Sequence, residues 1–250
     1  MKINLEKWIG TAVIFLLLLI VGFSALISSP QERRVERALS RMENLSSYNV
    51  EMKATLHMDD IDRYSTFLLA DFFFNRKDEE MKGYFLWELP IEGIITFVEG
   101  NFVYKEGSIY LDFYDLPLAF EPMLREDYGV NIEEMRNRWI KGDLEIDLED
   151  IFSLSGEVSP GREEKRIDGK RVREYVVKDG KRETTLWIND LSYLSRMETE
   201  ISFHLEESLS LSPPFPSLSK GSLITLKLKM DFSNFGKRED IKAPPDFLEL

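Results

Sequence analysis

The chain has no cysteine and only two histidines, His57 and His204, in 250 residues. Without cysteine there is no disulfide framework, no thiolate metal site and no acylated cysteine to serve as a lipid anchor. Stability outside the cell would have to come from the packed core itself. Both histidines fall on the polar faces of their strands, and no HExxH or comparable spacing offers a transition-metal ligand set. Asp59, Asp60 and Asp62 crowd one turn but lack the glycine and terminal glutamate of a calcium loop. GxSxG, P-loop and dinucleotide-binding glycine patterns are all missing, and no carboxylate pair stands out among 45 acids. Neither a cofactor nor an enzymatic activity is expected. Basic residues are also in deficit: 32 against 45 acids leave a net charge of −13, which argues against nucleic acid or an anionic membrane surface as a partner.

Long apolar runs are missing too, with one exception. Ile9 to Ile27 contains no charged residue in 19 positions, about 28 Å of helix and close to the hydrocarbon thickness of a bilayer. Lys2, Lys7 and Trp8 precede it, as at a cytoplasmic interface, although Arg33, Arg34 and Arg37 on the far side weaken the charge asymmetry. The nearest small-residue cleavage pattern, Gly22-Phe23-Ser24, lies inside the run, and Pro30 hinders a cut after Ser29. The expectation is a cytoplasmic end over residues 1–8, a retained single-pass signal anchor over residues 9–29 and one extracytoplasmic domain over residues 30–250, held at the plasma membrane. Removing Lys2, Glu6 and Lys7, which together carry +1, leaves −14 on that domain.

In the domain, Val35, Leu39 and Met42 have the spacing of a one-sided amphipathic helix. Val50, Met52, Ala54, Leu56 and Met58 then alternate with polar residues, the pattern of a half-buried strand. Short strands follow over 64–75, 83–89, 93–99, 101–105 and 108–114. Phe72-Phe73-Phe74 and Tyr84-Phe85-Leu86-Trp87 are apolar on both faces and need a second cover. Asn131 and Glu134 form a capping-box pattern, with Ile132, Met135, Trp139 and Ile140 on one side of a short helix; 144–154 is a second, ambiguous helical patch. From Glu163 a meander resumes through turns at Asp168-Gly169, Asp179-Gly180 and Asn189-Asp190. Two clean strands close the domain, with Met197, Thr199, Ile201, Phe203 and Leu205 on one face of the first. Ile224, Leu226, Leu228, Met230 and Phe232 share a face of the second. Residues 206–221, rich in proline and serine, separate them. About nine to eleven antiparallel strands in one sheet must curl, and the remaining material available to cover the concave face is helical. The fold class expected is mainly β (α+β): a strongly curved antiparallel half-barrel with helices across its concave face, preceded by one transmembrane helix.

The order helix, meander, helical interruption, meander carries three phrases: GNFVYKEGSIYLDFYDLP at 100–117, GKRVREYVVKDGKRETTLWINDLSYLSRMETE at 169–200 and LKMDFSNFGKREDIKAPP at 228–245. Together they resemble the lipoprotein-carrier superfamily typified by LolA, LolB and the LppX/LprG lipoproteins, over roughly residues 32–247. Leu186-Trp187-Ile188 with Leu194 and Met197 matches the family's strand, turn and strand; Phe232 to Phe235 with Ile241 and Pro244 matches its closing strand and exit. The resemblance implies a half-barrel whose apolar hollow binds acyl chains or a lipidated protein. The chain departs from the family in having neither the cleaved signal of LolA nor the cysteine anchor of LolB and LppX, which disfavours a free shuttle.

The expected function is therefore lipid or lipidated-protein handling at the membrane. The alternative is a non-catalytic structural or sensory interaction module with a filled hollow and an unknown protein partner. The ligand-lining candidates are Met52, Ala54, Leu56, Leu68, Phe72, Trp87, Met135, Trp139, Ile201, Phe203, Ile224, Leu226, Leu228 and Met230. With 17 phenylalanines, 9 tyrosines and 4 tryptophans, the same residues equally suit an ordinary filled core.

Overall fold

The computed structural model describes residues 29–58, 65–91, 94–135, 138–143, 154, 156–179, 182–204, 220–237 and 239–249. The apolar run before Ser29 and most of the 144–154 patch lie outside the described residues, as do Gly180 and positions 205–219 of the Pro/Ser-rich segment. Among the described residues no helix is long and apolar enough to cross a membrane.

Helix α1, Pro30–Glu43, begins on a complete capping box. The Ser29 hydroxyl accepts from the Glu32 amide at 3.2 Å, and the Glu32 carboxylate accepts from the Ser29 amide. Pro30 needs no amide partner at the first helical position. Val35, Ala38, Leu39 and Met42 form the buried stripe that the spacing predicts. Asn44 closes the helix, its side-chain amide donating to the Ser40 carbonyl at 2.6 Å.

Twelve strands make one sheet. They are β1 Ser47–Met58, β2 Ser65–Asn75, β3 Glu80–Ile91, β4 Ile94–Lys105, β5 Ser108–Asp115 and β6 Trp139–Asp143. The second series is β7 Glu157–Ile167, β8 Lys170–Asp179, β9 Arg182–Asn189, β10 Leu194–His204, β11 Leu223–Ser233 and β12 Phe247–Glu249. Their order is β12-β6-β5-β4-β3-β2-β1-β11-β10-β9-β8-β7. Two meanders thus meet where β1 pairs with β11, and β7 and β12 form open edges. Every pairing is antiparallel except that of β12 with β6.

The strand count exceeds the expected nine to eleven for identifiable reasons. The capping box is formed, with Asn131 Oδ1 accepting from the Glu134 amide and Glu134 Oε2 from the Asn131 amide, both at 2.9 Å. Yet the helix it starts, Ile132–Met135, lasts four residues. Trp139 and Ile140 belong instead to β6, paired with β5 on one side and β12 on the other. One turn of helix has little intrinsic stability, whereas an open strand edge offers a full hydrogen-bond ladder. Together β6 and β12 outweigh one merger, since the segments expected at 93–99 and 101–105 are one strand, β4; β7 begins at Glu157, before the expected Glu163. The Asp168-Gly169 turn has both residues at positive φ, 48° and 74°, as a tight hairpin requires.

All described helices lie on one face, called here the helix face. Besides α1 they are α2, Glu121–Tyr128, and the short α3, Ile132–Met135. The α1 stripe joins Tyr48, Val50 and Ala54 of β1, Phe74, Ile109, Val177, Leu186 and Leu228 in one core. Arg34 and Arg41 tie α1 to the β9–β10 turn, through Asp190 at 3.7 Å and the Leu191 carbonyl. Farther along the face, Phe120, Leu124, Ile132 and Met135 pack on Leu89, Val98 and Ile140.

The opposite face answers why strands such as Phe72-Phe73-Phe74 are apolar on both sides. Phe73, Val103 and Tyr110 point away from the helices and are covered by the chain that follows β11, with Ile241 wholly buried among them. Lys105 donates to the Ile241 carbonyl at 2.9 Å and pairs with Glu80 at 2.6 Å, while Lys82 pairs with Glu239 at 2.5 Å. The strap ends in β12, where Phe247 meets Tyr110 edge to face at 5.4 Å.

Candidate apolar binding face

The register assembles the candidate residues with little scatter. Across β10, β11, β1 and β2, Ile201 sits opposite Leu226, Leu226 opposite Leu56, and Phe203 opposite Ile224. Leu228 is opposite Ala54 and Ala54 opposite Leu68, which is opposite Trp87. Met230 is opposite Met52, and Phe72 is opposite Val50. Twelve of the fourteen candidates therefore share the helix face of five neighbouring strands. Met135 joins the same face from α3, buried against the Leu89 and Ile140 cluster. Trp139 does not. It faces the strap, beside Phe247, because adjacent strand residues point to opposite sides and Ile140 takes the helix face.

Three phenylalanines complete this face and escaped the sequence reading: Phe85, Phe102 and Phe113. Their signal was there but masked, since Phe85 alternates with Trp87 inside an uninterrupted apolar run and each lies beside a glycine. Gly83 is the cross-strand neighbour of Phe72 and Phe102, whose rings meet over it at 5.9 Å, edge to face. Gly100 stands likewise between Phe85 and Phe113, which meet at 5.8 Å. A methyl group at Gly100 would come within 2.2 Å of the Asp112 carbonyl oxygen, and one at Gly83 within 2.3 Å of that of Asp71. Glycine permits the close strand approach, and the aromatic pair covers the gap it leaves.

Burial across the face is uneven. On β11, Ile224, Leu226, Leu228, Met230 and Phe232 are all buried. Met52, Leu56, Leu68, Phe72, Phe85, Trp87, Phe102, Phe113, Ile201 and Phe203 are only half-buried. This strip lies between the α1 core and the α2–α3 cluster, and Phe85 and Phe113 touch both. Chemically it offers dispersion contact and exclusion of water, with few polar groups among its side chains.

Charged groups cluster elsewhere. On the strap side, Tyr84 donates to the Glu99 carboxylate at 2.6 Å, which pushes its phenol up to about 12. Under α1, burial holds the Tyr48 phenol far above its ordinary range. Among the described residues no three His, Asp or Glu side chains converge as a metal site.

No family model and no curated protein matches the sequence. The chain matches LprF of Mycobacterium bovis and a LolA superfamily protein of Nitrosomonas europaea over most of its length. LprF shares 13% identity at a TM-score of 0.46, over 87% of this chain and 98% of LprF. The Nitrosomonas protein shares 13% identity at a TM-score of 0.25, over 84% of this chain and 94% of its own. Similarity at this level describes a likeness of chain path, and the placement of the face rests on the strand order and register given above.

Proposed function

We propose that the chain is a non-catalytic, membrane-tethered domain that binds acyl chains of a lipid or lipidated protein on its helix face, outside the cytoplasm. The observation that carries this reading is the apolar strip running in register from β10 to β5, half-buried on each of these strands except β11. An apolar surface left partly wet between two packed clusters gains free energy from any hydrocarbon that covers it, at roughly 0.8 kcal/mol per methylene.

The sheet's dimensions support a concave shape for that face. Laid flat, twelve strands at about 4.8 Å would span more than 50 Å. The core around α1 draws buried residues from nine adjacent strands, β5 through β8. A helix of fourteen residues is about 21 Å long and cannot cover so wide a flat surface. A sheet curled toward the helices, as a half-barrel, brings both flanks within reach, and Gly83 and Gly100 supply points where it can bend. The tether is the apolar run over residues 9–27, with the domain following it directly through Ser29 and α1.

The test uses the full chain in its native membrane, supplied with a clickable fatty acid carrying a photoreactive diazirine. After irradiation, labelled peptides are expected from β10, β1 and β2 as well as from residues 9–27. Leu56→Trp and Ile201→Trp should reduce the strand labelling several-fold and leave the 9–27 labelling intact. Label confined to residues 9–27 would sink the lipid-binding reading and favour an interaction module with a protein partner. Retention of the chain in the membrane after carbonate washing checks the tether separately.

A further inference from the structure

A partly buried cation, Arg182, lies on the helix face. Arg182 opens β9 in phase with Thr184, Leu186 and Ile188, and these residues point toward the helices. Its Nε reaches Thr199 Oγ1 at 3.4 Å, while its Nη2 is buried without a hydrogen-bond partner. Thr184 and Thr199 are themselves buried, with hydroxyls 3.0 Å apart, and Thr199 also reaches the Glu183 carbonyl at 3.3 Å. The threonine hydroxyls are thus engaged with each other and the backbone, and Thr199 positions the guanidinium without satisfying it.

The one carboxylate facing Arg182 across the β8–β9 ladder is Asp179. No ion pair within 4 Å joins them, although Asp179 acts electrostatically to keep the guanidinium charged against the opposing effect of burial. Arg34 and Arg76 also hide a nitrogen without a partner, but Arg34 faces Asp190 and Arg76 lies against the Tyr48 phenol. Arg182 differs because its continuation across the sheet is apolar: Thr199 and Ile201 on β10, then Leu228 and Leu226 on β11, then Ala54 and Leu56 on β1. A guanidinium with one buried nitrogen left unpaired is costly and shaped for oxyanions, which it meets with two parallel N–H donors. On a chain of net charge −13, it is a local exception that would hold an anion where the rest of the surface repels one.

We infer that Arg182, held by Thr199, is the headgroup end of the apolar face and selects amphiphiles with a carboxylate or phosphate head over neutral ones. This rests on the proposed function, since the alkyl chain of such a ligand would run from Arg182 across Ile201, Leu226 and Leu56. One ion-paired head with a straight chain fits this arrangement of a single guanidinium at the margin of an apolar strip.

The experiment compares two diazirine probes of equal chain length, a fatty acid and the corresponding fatty alcohol, on the full chain in phosphatidylcholine nanodiscs. At limiting probe, the acid is expected to label β10 and β1 about tenfold more than the alcohol, the discrimination a charge-assisted hydrogen bond provides. Arg182→Gln should bring the acid down to the level of the alcohol and leave alcohol labelling unchanged; Arg182→Lys should restore part of the preference. Arg182→Met controls for folding, because removing a half-buried cation with one unpaired nitrogen is expected to leave the thermal midpoint equal or higher. Equal labelling by both probes, with no effect of Arg182→Gln, would overturn the headgroup assignment while leaving the lipid-binding reading standing. Strand labelling by neither probe would remove both. Inorganic phosphate that abolishes the acid's advantage at a concentration equal to the probe would assign the site to free oxyanions and overturn selection of amphiphiles. Lysophosphatidate that competes where phosphate does not would support it.

Discussion

Single residues on this protein act through their partners more than through their type. Tyr84 is half-buried on the strap side, and its hydrogen bond to Glu99 favours the protonated phenol, pushed up to about 12 from an ordinary value of 10.0. A folded-state value above the unfolded one means the contribution is complete below about pH 10 and is lost as pH rises through 12. Urea denaturation from pH 8 to 12 should therefore show the advantage of the wild type over Tyr84→Phe shrinking across that interval. Buried Tyr48 shifts in the same direction, so the Tyr84→Phe variant keeps a residual alkaline loss. Asn44 shows the same dependence on context: its side-chain amide caps α1 by donating to the Ser40 carbonyl.

At the scale of elements, two glycine positions connect strand spacing to the apolar face. Gly100 allows β4 and β5 to approach while Phe85 and Phe113 close over it. Gly100→Val would drive a side chain into the Asp112 carbonyl, and the expected cost is about 2 to 3 kcal/mol, read as a lower urea midpoint at constant slope. The amphipathic helix, the capping boxes and the clean strands were legible because each is a local pattern with one period. The end of α3 and the start of β6 were not, since four residues after a capping box look helical until the open edge of β5 offers them a ladder. Phe85, Phe102 and Phe113 went unread for a related reason: in strands covered on both sides alternation disappears, and only cross-strand register tells the faces apart.

For the whole molecule, the strap after β11 explains how a single sheet keeps apolar residues on both faces. Ile241 fills the outer cluster of Phe73, Val103 and Tyr110 without reaching the helix face. Ile241→Ala should cost about 2 to 4 kcal/mol in unfolding free energy, as a fully buried aliphatic does. Photolabelling of β10 and β1 should survive at temperatures where the variant remains folded. A loss of labelling without loss of fold would mean that the two faces are coupled, contrary to their separate clusters.

What the sequence by itself determined is what depends on near neighbours and on totals: the absence of cysteine chemistry, the negative charge, the apolar run, the half-buried strands and the helix that needs a surface. The face candidates on β1, β10 and β11 were legible for that reason, since period-two alternation chooses a side before any partner is known. Tertiary structure alone decided which strands became neighbours, that Trp139 turned to the strap while Ile140 turned to the helices, and that Arg182 came to lie beside Thr199. Arg182 and Thr199 are separated by a turn and a strand, and their meeting depends on the β9–β10 register. A register is fixed by the summed packing of the entire sheet, and no local stretch of sequence contains that sum.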